Sequence, residues 1–422
     1  MASPESPLRR RLIGALGAAS SAGVVAAGAP WSAWAADAAH GADPEFLITP
    51  GLTYLNTAAL GPTPRVVLER TLAAWQLLET NPVRMAYGDG DVHVATDQAR
   101  ERLARFIGCD ADELQITRGT TDAMNTVAQS IRFRRGDRIL TSDQEHEGGH
   151  NGWAYVARRH NLAIDVISIA PGEHDPQRIL ARIADGLRRR TRVLSISHVF
   201  SANGLRLPIA EICALARRSG VLSVVDGAQA LGQFAVDVRA LGCDAYAASG
   251  HKWLMGPKGT GLLYIRREAA SEIAPVQRED GPRFVTNATG IGALPLVIGL
   301  GAAVDAMNAR GIDYVERRIR ELRERLHTGL AQLPQLRVVS PPAGPGATAL
   351  VAAMLPASIA ARAFQSVLRD THGLMVKRIE APFFNGIRLS PHVFNTEAEI
   401  DLALRAIRAQ LDGAVHGQDA SG

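Results

Sequence analysis

The chain has 422 residues, with 46 lysines and arginines against 42 aspartates and glutamates, for a net charge of +4. That length suits one large domain with a smaller companion. The small net charge and the lack of a long basic run exclude a nucleic-acid-binding surface; Arg188-Arg189-Arg190, the densest cluster, reads as a solvated helix end.

Residues 1–35 read as an export signal. Arg9-Arg10-Arg11 precedes an Ala/Gly/Ser/Val run, and Ala33-Trp34-Ala35 supplies an A-x-A cleavage site. The paired arginines resemble a twin-arginine signal, which implies the twin-arginine export machinery and a periplasmic or secreted product. The core is short and alanine-rich, so no stable membrane insertion is expected after cleavage. Removing residues 1–35 takes away three arginines and one glutamate and lowers the net charge from +4 to +2.

An N-terminal segment, 36–60, leads into the Gly61-Pro62 turn. Helices are predicted near Pro64–Glu79 and His93–Ile107. Strands and helices then alternate: Leu114–Thr117, helix Thr121–Ile131, Arg138–Thr141, helix Asn151–Arg159, Ala163–Ile169, helix Pro176–Gly186, Val193–His198, helix Ile209–Ser219, Leu222–Val225, Ala245–Ala248 and Gly261–Ile265. This alternation predicts an α/β fold, a large domain over 61–285 with a mostly parallel sheet covered on both faces. A helical stretch near Leu294–Leu333 opens a smaller α+β domain, 286–412, and a frayed tail follows over 413–422. Cys109, Cys213 and Cys243 have no metal-ligand spacing and read as buried free thiols.

Lysine is scarce: only Lys252, Lys258 and Lys377 occur. Lys252 lies in Ser249-Gly250-His251-Lys252-Trp253, just after an apolar strand, and Asp226 ends an earlier one. A lysine and a buried aspartate so placed are what pyridoxal phosphate (PLP) needs: an amine to condense with the aldehyde, and a carboxylate to keep the pyridine nitrogen protonated. Arg118-Gly119-Thr120-Thr121 joins a strand to a helix start, where hydroxyls and free N–H groups can hold a phosphate.

With these motifs in place, Ser195–Arg266 resembles the class V aminotransferases among the fold-type-I PLP enzymes, a group that includes cysteine desulfurases, kynureninases and isopenicillin N epimerases. The resemblance implies a seven-stranded sheet and a homodimer. It makes Lys252 the catalytic amine, pairs Asp226 with the pyridine nitrogen, stacks His146 on the ring with Trp153 in step, sets Gln229 near the ring hydroxyl, and gathers Thr120, Thr121, Ser249 and His251 at the phosphate. Ser201 stands where desulfurases have asparagine, as in the isopenicillin N epimerase branch. Arg388 is expected to grip a substrate carboxylate with its planar guanidinium, and Asn56 to close over the substrate. His198, at a strand end, is open to a structural or a functional role.

Two departures bear on the activity. Thr371–Glu380, where desulfurases carry a nucleophilic cysteine, has none, which argues against transfer through a protein persulfide. Phe284–Thr289 fits poorly to the phosphate contact that normally comes from the partner subunit. The resulting expectation is a PLP enzyme acting at the α-amino carbon of a small-molecule amino acid or peptide by transamination or epimerisation. A carbon–sulfur lyase and a non-catalytic binding module are the alternatives.

Overall fold

Short apolar runs build the centre of the molecule, seen in a computed structural model that describes residues 45–88 and 90–419. The expected export signal lies outside the described residues. The elements are β1 (Thr53–Tyr54), α1 (Arg65–Thr80), α2 (Pro82–Tyr87), α3 (Asp91–Phe106), β2 (Leu114–Thr117), α4 (Thr120–Ser130), β3 (Arg138–Ser142), α5 (Glu147–His160), β4 (Ala163–Ile167), α6 (Pro176–Gly186), β5 (Thr191–Ser197), α7 (Ile209–Arg218), β6 (Leu222–Asp226), α8 (Val238–Leu241), β7 (Ala245–Ser249) and β8 (Gly261–Ile265). They continue with α9 (Leu294–Arg310), α10 (Ile312–Ala331), β9 (Arg337–Val338), β10 (Val351–Met354), α11 (Ala361–His372), β11 (Leu374–Met375), β12 (Lys377–Ile379), β13 (Gly386–Leu389) and α12 (Glu397–Asp419).

Seven strands form one sheet in the order β2-β8-β7-β6-β5-β3-β4. Neighbours from β7 to β4 are parallel, and β8 alone runs antiparallel to both β7 and β2. The mostly parallel seven-stranded sheet expected from the sequence is therefore present. Side chains alternate across it. On β7, Ala245 and Ala247 share an apolar cluster with Met124, Val127 and Trp153 of α4 and α5. Tyr246 and Ala248 share another with Ile212 and Leu300 of α7 and α9. Burial on both faces explains why the strands read as continuous apolar runs rather than as alternating ones.

A second sheet, β12-β13-β10-β9, is antiparallel throughout. Its core joins Ile387 and Leu389 to Leu322, Leu326, Phe364, Leu368 and Ile407 of the surrounding helices. The parallel pair β1–β11 and a bridge from Asn56 to Ser390 tie the N-terminal segment to this second unit.

Helix bounds differ from expectation in several places; α5 starts at Glu147 rather than Asn151, and the sequence predicts no helix at α2. Leu294–Leu333 is two helices, because Gly311 takes a left-handed φ of +79° between them. Asn81, preceding Pro82, leaves the helical region at φ −161°, and its side chain caps α2 through Arg84 N–H at 3.3 Å. The last helix runs on to Asp419 instead of ending near Leu411. Among the described residues no helix is long and apolar enough to cross a membrane.

Candidate active site

The carboxyl ends of β2, β3, β5, β6 and β7 share one edge of the large sheet, where open α/β folds bind ligands. A cavity of about 800 Å³ opens there, closed on its far side by β12, β13 and the 380–383 loop.

Asp226 ends β6. Its Oδ1 accepts the Ala228 N–H at 2.9 Å, while Oδ2 makes no hydrogen bond among the described residues. A Cβ at position 149 would lie 2.6 Å from that Oδ2, so glycine there lets α5 pass close to the carboxyl. Burial pushes the Asp226 carboxyl up, against the pull of the Ala228 N–H, Lys252 and His146. A cationic N–H placed at Oδ2 would restore its charge.

Lys252 follows β7. Burial pulls its ammonium down to about 8; Asp226 opposes that shift and Arg388 adds to it. No hydrogen bond or ion pair engages Nζ among the described residues. The amine is thus poised to shed its proton near neutral pH.

His146 caps α5, with Nδ1 accepting the Gly148 N–H at 3.0 Å. That bond assigns the proton of the neutral ring to Nε2. Burial, then Lys252, lowers its basicity. At the start of α4, Ser249 Oγ lies 2.8 Å from Thr120 Oγ1 and 3.2 Å from Thr120 N. His251 Nδ1 lies 3.0 Å from the Thr260 carbonyl, and Thr121 borders Gly148. Thr120, Thr121, Ser249 and His251 therefore meet at one helix start, as expected.

Gln229 bridges two segments: Nε2 donates to Ala58 O at 2.9 Å, and Oε1 accepts from Trp253 Nε1 at 2.8 Å. Ser201 lines the cavity, and its carbonyl accepts from Arg388 Nη1. Arg388 is 4% exposed. Its Nε is buried without a partner, and no carboxylate pairs with it among the described residues. Burial lowers its guanidinium to about 10. A buried, unpaired arginine is costly unless an anion arrives.

Three residues singled out in the sequence lie off the wall of this cavity. Asn56 is not on its wall; Ala58 and Ala59 are, and Asn56 Oδ1 is buried with no hydrogen-bond partner among the described residues. Trp153 is fully buried in the core between α4, α5 and the sheet. His198 is also a core residue: its Nδ1 lies 3.0 Å from Tyr246 Oη, and burial drives its basicity down to about 3.

Two residues escaped the sequence reading. Glu145 is half-buried, with Ser142 Oγ and Ser197 Oγ each donating to it at 2.6 Å, and desolvation pushes its carboxyl up to about 7. Glu145 stands next to His146 in the chain, but its serines come from β3 and β5 and meet only through sheet pairing. Lys377 lines the cavity from β12 and had no local motif to mark it. The three cysteines are buried, unpaired and away from the cavity, with Cys109 and Cys213 pushed up to about 12.

A family model for class-V aminotransferases matches residues 53–402. The chain belongs to that family. Isopenicillin N epimerase of Streptomyces clavuligerus is 32% identical over 384 residues, covering 86% of this chain and 96% of that protein. A probable cysteine desulfurase of Methanothermobacter thermautotrophicus is 32% identical over 308 residues, covering 68% and 75%. Among solved structures, the cystine C–S lyase C-DES in complex with cysteine persulfide superposes with a TM-score of 0.77 at 28% identity, over 85% of this chain and 98% of that one. A C-DES mutant with glycine covalently linked to its PLP cofactor also scores 0.77, at 27% identity. This chain is thus a PLP-dependent enzyme of the class V aminotransferase family. The residues present suit that cofactor: a free Asp226 Oδ2 beside Gly149, an unengaged Lys252 amine, and hydroxyls gathered at the start of α4.

Proposed function

We propose that this enzyme removes the Cα proton of an amino acid or small peptide and returns a proton either to Cα or to the cofactor, giving epimerisation or transamination of the isopenicillin N epimerase type. We further propose that it does so as a homodimer, after export by the twin-arginine route to the periplasm or beyond. The observation that carries the reading is the buried, unpaired Arg388 on the same cavity as the unengaged Lys252 amine.

Each side chain has a part in that chemistry. Arg388 offers its guanidinium to the substrate carboxylate and so fixes which bond at Cα faces the reaction. Lys252, with its ammonium near 8, takes and gives the Cα proton. With PLP bound, Asp226 Oδ2 would accept from the pyridine nitrogen, His146 would cover the ring, Gln229 and Ser201 would lie near the ring hydroxyl, and Thr120, Thr121, Ser249 and His251 would hold the phosphate. When bound, PLP supplies the sink for the electron pair left at Cα.

A carbon–sulfur lyase is the second reading, favoured by the likeness to the cystine lyase C-DES. The burial of all three cysteines away from the cavity supports a route without a protein persulfide. Borohydride reduction of the PLP-loaded protein and peptide mapping tests the site: the label is expected on Lys252, and a label on Lys258 or Lys377 ends the reading. Amino acids and dipeptides incubated in heavy water then test the reaction. Deuterium at Cα with loss of chirality, or a keto product, supports the proposal; release of sulfide or persulfide without Cα exchange in recovered substrate favours the lyase.

A further inference from the structure

β12 and β13 are adjacent antiparallel strands, and their register sets Lys377 directly opposite Arg388. Directly opposed residues project from the same face of a sheet, with Cα atoms about 4.5–5.5 Å apart. Both residues line the cavity. Like charges so placed oppose each other, and a nearby carboxylate ordinarily relieves them.

No carboxylate forms a direct ion pair with either cation among the described residues. Glu380, the acid nearest in sequence, is held by Arg378 at 2.9 Å and lies 3.7 Å from Arg362. Asp122, also on the cavity wall, is bound to Arg118 at 2.7 Å. Burial, then the Arg388 and Arg378 charges, pulls the Lys377 ammonium down, and Glu380 opposes that shift from a distance.

We propose that Lys377 is a specificity-determining residue that binds a second carboxylate of the substrate, so that the enzyme takes amino acids carrying an additional acidic group a few bonds from the α-carboxylate. This rests on the reading of Arg388 as the α-carboxylate grip. Arg388 already spends Nη1 on the Ser201 carbonyl. Its remaining fork matches one carboxylate, which leaves the Lys377 point charge for another.

The test is calorimetric titration of the PLP-loaded enzyme with glutarate, which has two carboxylates and no amine, and with butyrate, which has one. Glutarate is expected to bind about tenfold tighter, the value of one charge-assisted hydrogen bond. In Lys377→Gln that preference should shrink to within about twofold, and Lys377→Arg should restore it. Equal binding of the two acids by the wild type, or a preference that survives Lys377→Gln, overturns the proposal. Borohydride labelling on the same samples separates the two readings. Loss of the Lys252 label with the glutarate preference intact would sink the cofactor reading alone. A normal label without the preference would sink the second carboxylate alone.

Discussion

The two walls of the cavity are built on opposite plans. On the large-sheet side the polar groups are tied to the protein in advance: Glu145 by Ser142 and Ser197, Asp226 by the Ala228 N–H, His146 by the Gly148 N–H, and Ser249 by Thr120. On the small-sheet side two cations stand across adjacent strands, without an acidic ion-pair partner among the described residues. The first plan suits a resident group that needs one fixed position. The second suits a transient anion: the buried Arg388 gains most when a partner arrives, and the exposed Lys377 is free to meet it.

The comparison breaks most visibly at Lys252. Lys252→Ala should cut turnover by at least about 10⁴-fold, since one amine serves both as attachment and as proton carrier. Circular dichroism should show an unchanged fold. Repeated turnover by that variant would mean that the large-sheet wall is not the cofactor wall.

Removing the charge of the other wall tests its half of the contrast. Arg388→Ala should lower kcat/KM for the true amino acid about 10²–10³-fold, the usual cost of losing one member of a buried charge pair. The matching amine without its carboxylate should lose less than about threefold, because it never used the guanidinium. Equal losses on both substrates would make Arg388 a structural residue and dissolve the contrast.

Much of this was legible in the sequence for a physical reason. The cofactor side is made of strand ends, and a strand end carries its chemistry in a few consecutive residues such as Ser249–Trp253. The bounds of α6 were readable because Asp175 caps it and Pro176 opens it. What could not be read needed the register. Lys377 and Arg388 are eleven positions apart and meet only because a loop with a cis Ala381–Pro382 bond returns β13 along β12. Gly311 sits in a continuous helical pattern, where a single glycine is ordinarily tolerated. Asn56 rested on resemblance alone, and the neighbouring Ala58 and Ala59 took the wall instead.

A milder measurement sharpens the picture of the large-sheet wall. Uptake of PLP by the apoprotein requires the neutral Lys252 amine. Burial holds its ammonium near 8 in the folded protein. The uptake rate should therefore rise about tenfold per pH unit below that value and level off above it. A rise continuing to the ordinary lysine range, near 10.5, would show an amine in contact with water.

The smallest effect addresses how much charge the large-sheet wall holds. Burial, joined by the nearby Asp226, lifts the Glu145 carboxyl from 4.5 to about 7. The folded protein therefore binds a proton that the unfolded chain has released between those values. Stability from this group is full below about 4.5 and falls as pH rises toward 7, by on the order of 2 kcal/mol. Asp226 is shifted the same way and adds to the slope. Glu145→Gln should flatten only the Glu145 part, seen as a smaller loss between pH 5 and pH 7 in urea melts of the apoprotein. The fold should tolerate it, because a seryl hydroxyl can turn from donor to acceptor and meet the new amide. An unchanged slope would mean that Glu145 is ionised in the native state. The wall would then carry two negative charges, and the free Asp226 Oδ2 would no longer be the single counter-charge awaiting a cationic ring.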